Sequence, residues 1–547
     1  MRQAYDVVVL GSGAAGLTAA LAAAVEGAQV ALFEKAELLG GTTALSGGTI
    51  WIPNNQPARA AGVEDSRERG LEYLASLSNG MILPELAEAL VDGGPQFVDF
   101  LTENSEIRLE LVHGYPDYHP EHPGGMPHGG RSIEPALVSF VGLEEWSERI
   151  AGDIRRMQIA ETPLGGGTGV VAPDLLAERE KAKQEGLGRA LIGGLLRACL
   201  DRGVQVATRC RGVRLLTGDG AVTGVELETP DGARSVSARA VVLATGGFEY
   251  DPDLVRDFLR GPLTKPVGAP SDAGDGLRMA MRIGAQLGNM REAWWSPIVS
   301  YPGVRRDGGQ NALLSARERA LPGCVMVNRH GHRFANEAAN YNALGGAFHR
   351  LDESRLDYLN VPAYMIFDQS MVDRFGAFGV APGGAMPDWV TRAATLEELA
   401  GVLGIPAAEL RATVERFNDN ARAGVDPDFA RGQSAYDRFP GGRHAKDPDS
   451  PSATLGPVET APFYAAQVVI SALGTKGGPR TDREGRVLDV DGDVIRGLYA
   501  AGNVMASPAG MVYGGAGATL AVAGVWGLYA GRAAVNDSRL LTGSGGK

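Results

Sequence analysis

Residues 5–16 of this 547-residue chain, YDVVVLGSGAAG, decide its fold. Residues 5–10 are an apolar run of strand length, and the alanine-rich stretch beyond the glycines has helical length, so we predict a buried strand, a tight turn and a helix to about Val25. In such a turn the first glycine permits the bend, the second admits a pyrophosphate, and the third allows close helix packing. The N–H groups at the start of the helix would bind the anion. The predicted contacts are Gly11, Gly13, Ala14, Ala15 and Gly16.

A second strand completes this unit. Val30–Glu34 (VALFE) ends in Glu34, eighteen residues past Gly16, where a carboxylate binds the ribose hydroxyls of a dinucleotide. Lys35 follows at once and is also predicted to contact the cofactor. The order of strand, glycine turn, helix, strand and acid predicts a Rossmann-like α/β domain.

Three further glycine-rich segments carry a family resemblance. Residues 40–48 contain GGTT and SGG, residues 244–247 read ATGG, and residues 272–276 read DAGDG. They resemble, in the same order, the FAD-holding segments of the fumarate reductase and succinate dehydrogenase flavoprotein superfamily. The resemblance implies FAD as cofactor, and it adds as contacts Gly41, Thr42, Thr43, Ser46, Gly47, Gly48, Ala244, Thr245, Gly246 and Asp275.

The carboxy-terminal end returns to the cofactor. Residues 497–503 (GLYAAGN) predict a strand and a glycine turn, and residues 514–519 open the last helix, whose amino terminus would stabilise negative charge on a reduced flavin. The contacts predicted here are Gly502, Asn503, Ala518 and Thr519. We therefore expect a discontinuous FAD-binding domain of residues 1–290 and 465–547. Residues 291–464 would form an inserted α+β substrate domain, in which residues 327–337 resemble the superfamily's GxRFxNE signature.

Several tyrosine-bearing segments narrow the reaction. Residues 507–517 (SPAGMVYGGAG) contain no cation, unlike the equivalent element of a fumarate reductase. They resemble the tyrosine and glycine-rich turn of the 3-ketosteroid Δ1-dehydrogenases, as do residues 474–482, 115–132 and 336–341 in their own places. The resemblance implies that Tyr341 takes the proton alpha to a ketone, with Tyr118 beside it. Tyr513 and the Gly517 N–H would polarise the carbonyl oxygen, and flavin N5 would accept the hydride.

Other interpretations remain open. The family usually has a proline-containing turn where this chain has Tyr513-Gly514-Gly515, so the substrate could be a ring ketone smaller than a steroid, or the new bond could be Δ4 instead of Δ1. Tyr115 could replace Tyr118 as the residue that points inward. A fumarate reductase-like enzyme would instead clamp an unsaturated acid with Arg333 or Arg480.

Composition sets the remaining expectations. The net charge of −13 argues against a nucleic-acid partner, and three scattered cysteines argue against disulfides and zinc. Four histidines fall within residues 113–128, but the interleaved prolines and glycines lead us to expect no metal. The first residues leave no space for a signal peptide, and residues 516–534 are expected to be a buried helix, so we predict a cytoplasmic enzyme without a transmembrane segment. Its electrons would pass to a separate quinone, carrier or oxygen.

Overall fold

A computed structural model of the chain describes residues 2–442 and 445–543. Its strands are Ala4–Leu10, Val30–Phe33, Ile50–Trp51, Leu109–Leu111, Ser132–Pro135, Val138–Ser139, Gln184–Glu185, Gln205–Ala207, Arg211–Gly218, Ala221–Thr229, Gly232–Leu243, Leu287–Gly288, Ala293–Val304, Gln310–Leu314, Cys324–Asn328, Leu351–Asp352, Asp357–Tyr358, Ala363–Asp368, Thr391–Ala393, Phe463–Thr475, Gly478–Pro479, Arg486–Leu488 and Val494–Ala500.

The helices lie between these strands and after them. They are Ala14–Val25, Gly41–Leu45, Gln56–Ala60, Arg67–Leu77, Pro84–Asn104, Glu144–Ser147, Pro173–Lys181, Leu187–Asp201, Pro252–Phe258, Asp275–Arg282, Tyr341–Phe348, Gln369–Phe375, Leu396–Leu403, Ala407–Arg422, Ala435–Gly442 and Ala518–Gly543. Strands and helices both contribute to the core, which confirms the α/β class.

The larger sheet is built from both ends of the chain. Ala4–Leu10 lies between Val30–Phe33 and Gly232–Leu243 and is parallel to both. Val494–Ala500 adds to the far side of Gly232–Leu243, again in parallel. Residues Val7 to Leu10 are at most 2% exposed, as expected of a strand covered on both faces. The carboxyl ends of these parallel strands therefore lie at one edge of the sheet, where dinucleotides bind.

The last helix is buried against the first one. Its Gly527 and Gly531 lie one turn apart, and a Cβ at these positions would come within 2.6 Å of the Ala15 carbonyl oxygen and 2.4 Å of the Ala19 carbonyl oxygen. Ala518–Arg539 is long and apolar enough to cross a membrane, but 83% of its most apolar window is buried inside the protein. Its apolar composition therefore serves close packing between helices, as the sequence predicted.

The smaller sheet is formed by strands that lie between Ala293 and Thr475. Its order is Gln310–Leu314, Ala293–Val304, Phe463–Thr475, Ala363–Asp368 and Cys324–Asn328, and all of these neighbours are antiparallel. Phe463–Thr475 begins before residue 465, so the proposed return to the cofactor domain falls within a strand of this sheet. The division at residues 290 and 465 stays a prediction.

Candidate active site

A cavity of about 790 Å³ lies between the two sheets, within the size range of small-molecule and cofactor sites. Most of the predicted site residues line it: Gly11, Gly13, Ala14, Ala15, Glu34, Lys35, Gly41, Thr42, Thr43, Ser46, Gly47, Gly48, Tyr118, Ala244, Thr245, Gly246, Asp275, Tyr341, Gly502, Asn503, Tyr513, Gly517 and Thr519. Gly16 and Ala518 are not among the lining residues. Segments far apart in sequence therefore meet at one place.

Gly11 and Gly16 allow the turn to pack closely, because neither position has space for a side chain. Gly11 has φ +108°, and a Cβ there would lie 2.2 Å from the Ala244 carbonyl oxygen. A Cβ on Gly16 would lie 2.0 Å from the Gly11 carbonyl oxygen. A side chain at either position would separate the turn from the neighbouring strand, so Gly16 acts through packing.

The turn presents polar groups that suit a dinucleotide. Gly13 begins the helix Ala14–Val25 without a side-chain cap, and the Ala14 N–H donates to Thr43 Oγ1 at 3.1 Å. Glu34 is buried and accepts from the Ser12 N–H at 3.0 Å and the Ser12 hydroxyl at 2.6 Å. An uncapped helix start with a buried carboxylate beside it fits the pyrophosphate and ribose of FAD.

Two ion pairs meet at Asp275 in the wall of the cavity. Lys35 Nζ lies 2.7 Å from Asp275 Oδ2, and Arg211 lies 2.7 Å from Asp275 Oδ1. Burial acts to raise the pKa of Asp275, but these two cations outweigh it and hold the pKa below its usual value. Asp275 is therefore a charged, fixed wall of the cavity.

One buried hydroxyl of the cavity has no partner. Thr245 Oγ1 lines the cavity and makes no hydrogen bond within the described residues. Nearby, Thr42 donates to Asp272 Oδ2 at 2.8 Å, and burial raises the pKa of Asp272. A buried polar atom without a partner is costly, so the Thr245 hydroxyl is explained by a polar ligand such as FAD.

Three tyrosines converge beyond the cofactor segments. The Tyr118 hydroxyl donates to the Tyr341 hydroxyl at 2.7 Å. The rings of Tyr118, Tyr341 and Tyr513 pack edge to face, with centroids 5.2 to 5.5 Å apart. Thr519 donates to the Tyr513 hydroxyl at 3.0 Å, and Gly517, four residues after Tyr513, lines the same cavity. The four residues predicted as catalytic thus form one cluster.

Burial governs the protonation of this cluster. It raises the pKa of Tyr118 and Tyr341 well above that of a free phenol, and neighbouring phenols raise both further, while the Tyr118 hydrogen bond lowers the pKa of Tyr341. Burial also raises the pKa of Tyr513, against hydrogen bonds from Thr519 and Gly517. The cluster is buried, so a charge that forms there depends on nearby polar groups.

A buried ionic network holds Tyr118. Its neighbour Asp117 accepts from Trp51 Nε1 at 2.7 Å and from Arg131 at 2.8 Å. Burial raises the pKa of Asp117 to about 6, against the opposing charge of Arg131. The Tyr118 N–H donates to the Gly514 carbonyl at 2.9 Å. These contacts tie the loop of Tyr118 to the turn that carries Tyr513.

A carboxylate clamp is not found at the predicted arginines. Arg333 binds Glu337 at 2.7 Å and Asp426 at 2.9 Å, away from the cavity. Arg480 does not line the cavity either. Both cations are therefore poor candidates for holding the carboxylate of an unsaturated acid.

Several wall residues were not foreseen. The strand pair Ala293–Val304 and Gln310–Leu314 contributes Tyr301, Leu313 and Leu314, and a loop contributes Arg155 and Ile159. Arg155 has no side-chain hydrogen bond or ion pair within the described residues. These residues come from loops and strand ends without periodicity or motif, so no sequence signal marks them.

The histidine-rich loop has one compact group. Ligand atoms of His119, Glu121 and His122 lie within 4.8 Å of one another in the described part of the chain. The ring Nε2 of His119 lies 3.1 Å from the Asn340 amide, and Glu121 accepts from Ser434 at 3.1 Å. Ser76 Oγ lies 3.4 Å from His122 Nδ1, so protein groups already contact all three, and the expectation of no metal stays a prediction.

Comparison with known proteins defines the class. The FAD binding domain family matches residues 6–520. The chain therefore belongs to this family and is an FAD-dependent oxidoreductase. Within it, the chain falls among dehydrogenases of cyclic ketones.

Three relatives make that placement specific. The 4-oxocyclohexanecarboxylate 2-dehydrogenase of Sinomonas cyclohexanicum is 45% identical over 541 residues, covering 97% of this chain and 93% of the relative. The 3-oxosteroid 1-dehydrogenase of Mycobacterium tuberculosis is 39% identical over 564 residues, covering 96% and 98%. The crystal structure of the 3-ketosteroid Δ1-dehydrogenase from Sterolibacterium denitrificans with 1,4-androstadiene-3,17-dione matches with a TM-score of 0.87 and 32% identity, covering 98% and 100%.

Proposed function

We propose that the protein introduces a carbon–carbon double bond alpha,beta to a ring ketone, with Tyr341 as the base. The observation that carries the proposal is the buried cluster of Tyr118, Tyr341 and Tyr513, which lines one cavity together with Gly517 and the cofactor segments.

The ketone oxygen would lie between the Tyr513 hydroxyl and the Gly517 N–H. These two donors stabilise the enolate that forms as the alpha proton leaves, and one such donor is typically worth about 100-fold to 1,000-fold in rate. Tyr341 takes the proton while Tyr118 holds the Tyr341 oxygen in place. When bound, FAD supplies the acceptor for the hydride that leaves the neighbouring carbon.

We infer that the substrate is a single-ring ketone that carries a carboxylate. Two observations support this inference: the exposed Arg155 side chain lines the cavity and has no hydrogen bond or ion pair within the described residues, and the 45% identical relative is named for 4-oxocyclohexanecarboxylate. Because Arg155 is exposed, screening by water would reduce the roughly 1.5–3 kcal/mol of a buried charge-assisted hydrogen bond to about 1 kcal/mol.

A 3-ketosteroid is the second candidate, and Δ1 desaturation is its expected reaction. The relative at 39% identity and the structural match at TM-score 0.87 support it, as do the apolar wall residues Leu313 and Leu314. Either substrate uses the same tyrosine cluster. We propose that a separate quinone, carrier or oxygen reoxidises the cofactor and that the enzyme works in the cytoplasm.

The deciding experiment is anaerobic bleaching of the bound flavin by 4-oxocyclohexanecarboxylate and by androst-4-ene-3,17-dione. Wild type, Tyr341→Phe and Arg155→Met would be compared at equal flavin content, with exposed Arg392→Met as control. The proposal expects fast bleaching by the carboxylate, a large loss in Tyr341→Phe, and a KM about fivefold higher in Arg155→Met alone. Bleaching by the steroid only, unaffected by Arg155→Met, would replace the carboxylate with the steroid. Absence of bleaching by both would overturn the reaction.

A further inference from the structure

Two buried asparagines flank the predicted base. Asn340 and Asn342 stand on either side of Tyr341, where the helix Tyr341–Phe348 begins. They are 2% and 6% exposed, and both lie outside the lining of the cavity. A buried amide is retained where its donors and acceptor find partners. Because neither side chain faces the cavity, a role in the reaction has to act through the residues that they bind.

Asn340 binds both its own helix and the loop of Tyr118. Its Oδ1 accepts from the Ala343 N–H at 3.0 Å, which caps the helix. Its Nδ2 donates to the Tyr118 carbonyl at 3.2 Å and lies 3.1 Å from His119 Nε2. Serine, threonine and aspartate are also good caps, but the asparagine amide alone among them has its acceptor and its donor on separate atoms. Asparagine here therefore provides more than the helix needs.

Asn342 binds the turn that carries Tyr513. Its Nδ2 donates at 3.1 Å to the carbonyl of Met511, two residues before Tyr513. Its Oδ1 accepts from the Trp295 N–H at 3.2 Å. Asparagine stabilises a helix less than alanine does, so these bonds to other segments explain its place in the first turn of this helix.

These bonds join the three segments that carry the tyrosine cluster. Asn340 joins the helix of Tyr341 to the loop of Tyr118, and Asn342 joins it to the turn of Tyr513. The loop and the turn are joined directly, because the Tyr118 N–H donates to the Gly514 carbonyl at 2.9 Å. Each segment is thus hydrogen-bonded to the other two. Such precision matters for catalysis, since a misplacement of about 1 Å can cost roughly 100-fold in rate.

We propose that Asn340 and Asn342 are positioning residues that hold Tyr341 in place between Tyr118 and Tyr513. This inference rests on the proposed function. Asn340 fixes the backbone of Tyr118, so that the Tyr118 hydroxyl meets the Tyr341 hydroxyl at 2.7 Å. Asn342 fixes the turn, so that Tyr513 keeps its distance from the base. Neither amide gives or takes a proton in the reaction.

The first test removes the amide donor of Asn340 and keeps the cap. Serine caps a helix about as well as asparagine but has no amide N–H groups. Anaerobic flavin bleaching by the ring ketone, compared at equal flavin content, should slow about fivefold to tenfold in Asn340→Ser at saturating ketone. The half-saturating ketone concentration should not change, because Asn340 lies outside the cavity lining.

A double-mutant comparison separates positioning from packing. In a Tyr118→Phe background, Asn340→Ser should slow bleaching less than about twofold, because the hydroxyl that Asn340 positions is already gone. Asn418→Ser is the matched control, since Asn418 is also buried and its amide donates to the Val458 carbonyl at 2.9 Å. This control should bleach at the wild-type rate.

Asn342 is tested with alanine. Asn342→Ala removes the bond to Met511, and a loss of rate cannot come from a weaker helix because alanine is the better helix former. Bleaching should slow about threefold to tenfold in the wild-type background. The loss should be smaller in a Tyr513→Phe background, where the displaced hydroxyl is absent. A wild-type rate in Asn342→Ala, or the same loss in both backgrounds, would overturn the role of Asn342.

Asn340 has its own deciding outcomes. A wild-type rate in Asn340→Ser would leave Asn340 as a helix cap only, and an equal loss with and without the Tyr118 hydroxyl would show that it does not act through Tyr118. Hydrogen exchange of the oxidised holoenzyme needs no turnover, and residues 115–119 should exchange faster in Asn340→Ser than in wild type or Asn418→Ser. Unchanged exchange would overturn the proposal. If no ring ketone bleaches wild type, the proposed function fails, and the exchange still decides whether Asn340 holds the loop.

Discussion

At the scale of single residues, replacing Tyr118 tests whether its hydroxyl contributes to the reaction or its ring only packs in the cluster. Tyr118→Phe keeps the ring but removes the 2.7 Å hydrogen bond to Tyr341. Because proton transfer by positioned groups contributes about 100-fold to 10,000-fold, we expect flavin reduction to slow roughly tenfold to 100-fold with unchanged flavin content. Stopped-flow bleaching measures this. Tyr464→Phe, also buried but bonded to Gln369, is the control. Equal rates in wild type and Tyr118→Phe would reduce Tyr118 to a packing role.

Gly517 is the second residue whose replacement has a defined consequence. It has φ +99°, and a Cβ there would lie 2.3 Å from the Thr49 carbonyl oxygen. Gly517→Ala should therefore displace the N–H that would bind the ketone oxygen and cost about 1–3 kcal/mol of backbone strain. We expect kcat to fall at least 100-fold, with thermal unfolding measured in parallel. A variant with full kcat would show that another donor binds the oxygen.

The same scale shows what sequence could predict. Tyr341, Tyr513 and the cofactor residues stand in ordered motifs, so their meeting in one cavity was foreseeable. Arg155 lines the cavity but stands in no motif, so no local pattern in the sequence marks it. Trp294 and Trp295 also stand in no motif, and the structure places both in the core, at most 1% exposed and outside the cavity lining.

At the scale of elements, the turn that carries Tyr513 is supported from below by Lys476. This side chain is fully buried, donates to the Val512 carbonyl at 2.7 Å, and lies 4.0 Å above the Trp294 ring. Trp294 in turn packs on Tyr513, with centroids 4.8 Å apart. Lysine here links the strand Phe463–Thr475 to the turn, a contact between elements that no single segment reveals.

Lys476 also predicts how stability changes with pH. Burial lowers the pKa of Lys476 from 10.5 to about 7, so between about pH 7 and 10.5 the unfolded chain binds more protons than the folded one. The free energy of unfolding should rise with pH across this window, by at most about 1.4 kcal/mol per pH unit. Lys476→Met should lack this rise. Urea unfolding at pH 7, 8 and 9 would measure the free energy of unfolding of wild type and of Lys476→Met. The same dependence on pH in both proteins would contradict a buried, titrating lysine.

Some secondary-structure elements could be predicted from the sequence and others could not. The strand Ala4–Leu10 and the helix Ala14–Val25 were predicted almost to the residue, because apolar run and glycine turn coincide. The strand pair Ala293–Val304 and Gln310–Leu314 was not predicted. Ala293–Val304 pairs with Phe463–Thr475, more than 150 residues away. Because this pairing forms only in the tertiary structure, no local sequence pattern predicts it.

At the scale of the whole molecule, the cofactor cavity is where both ends of the chain meet. Gly11 to Gly48, Ala244 to Asp275 and Gly502 to Thr519 all reach it, so a ligand there adds contacts between segments that the larger sheet, the Thr42–Asp272 and Lys35–Asp275 contacts and the packing of the first and last helices already join. Binding to the folded state alone stabilises a protein by mass action. FAD is therefore expected to act as a structural link as well as a cofactor.

Removal and return of FAD tests this. Stripped protein given FAD at a hundredfold excess over its Kd should gain about 2.7 kcal/mol of stability and a higher Tm. Riboflavin, which lacks the pyrophosphate and adenosine, should give a smaller gain because the uncapped helix start at Gly13 and the buried Glu34 have nothing to bind. Glu34→Gln should reduce the FAD gain and leave the riboflavin gain unchanged. Differential scanning fluorimetry would measure the Tm of wild type and of Glu34→Gln, each with FAD and with riboflavin. Equal gains in stability from FAD and riboflavin would mean that the glycine turn does not bind the dinucleotide. The prediction that residues 11–35 bind the pyrophosphate and ribose of FAD would then be wrong.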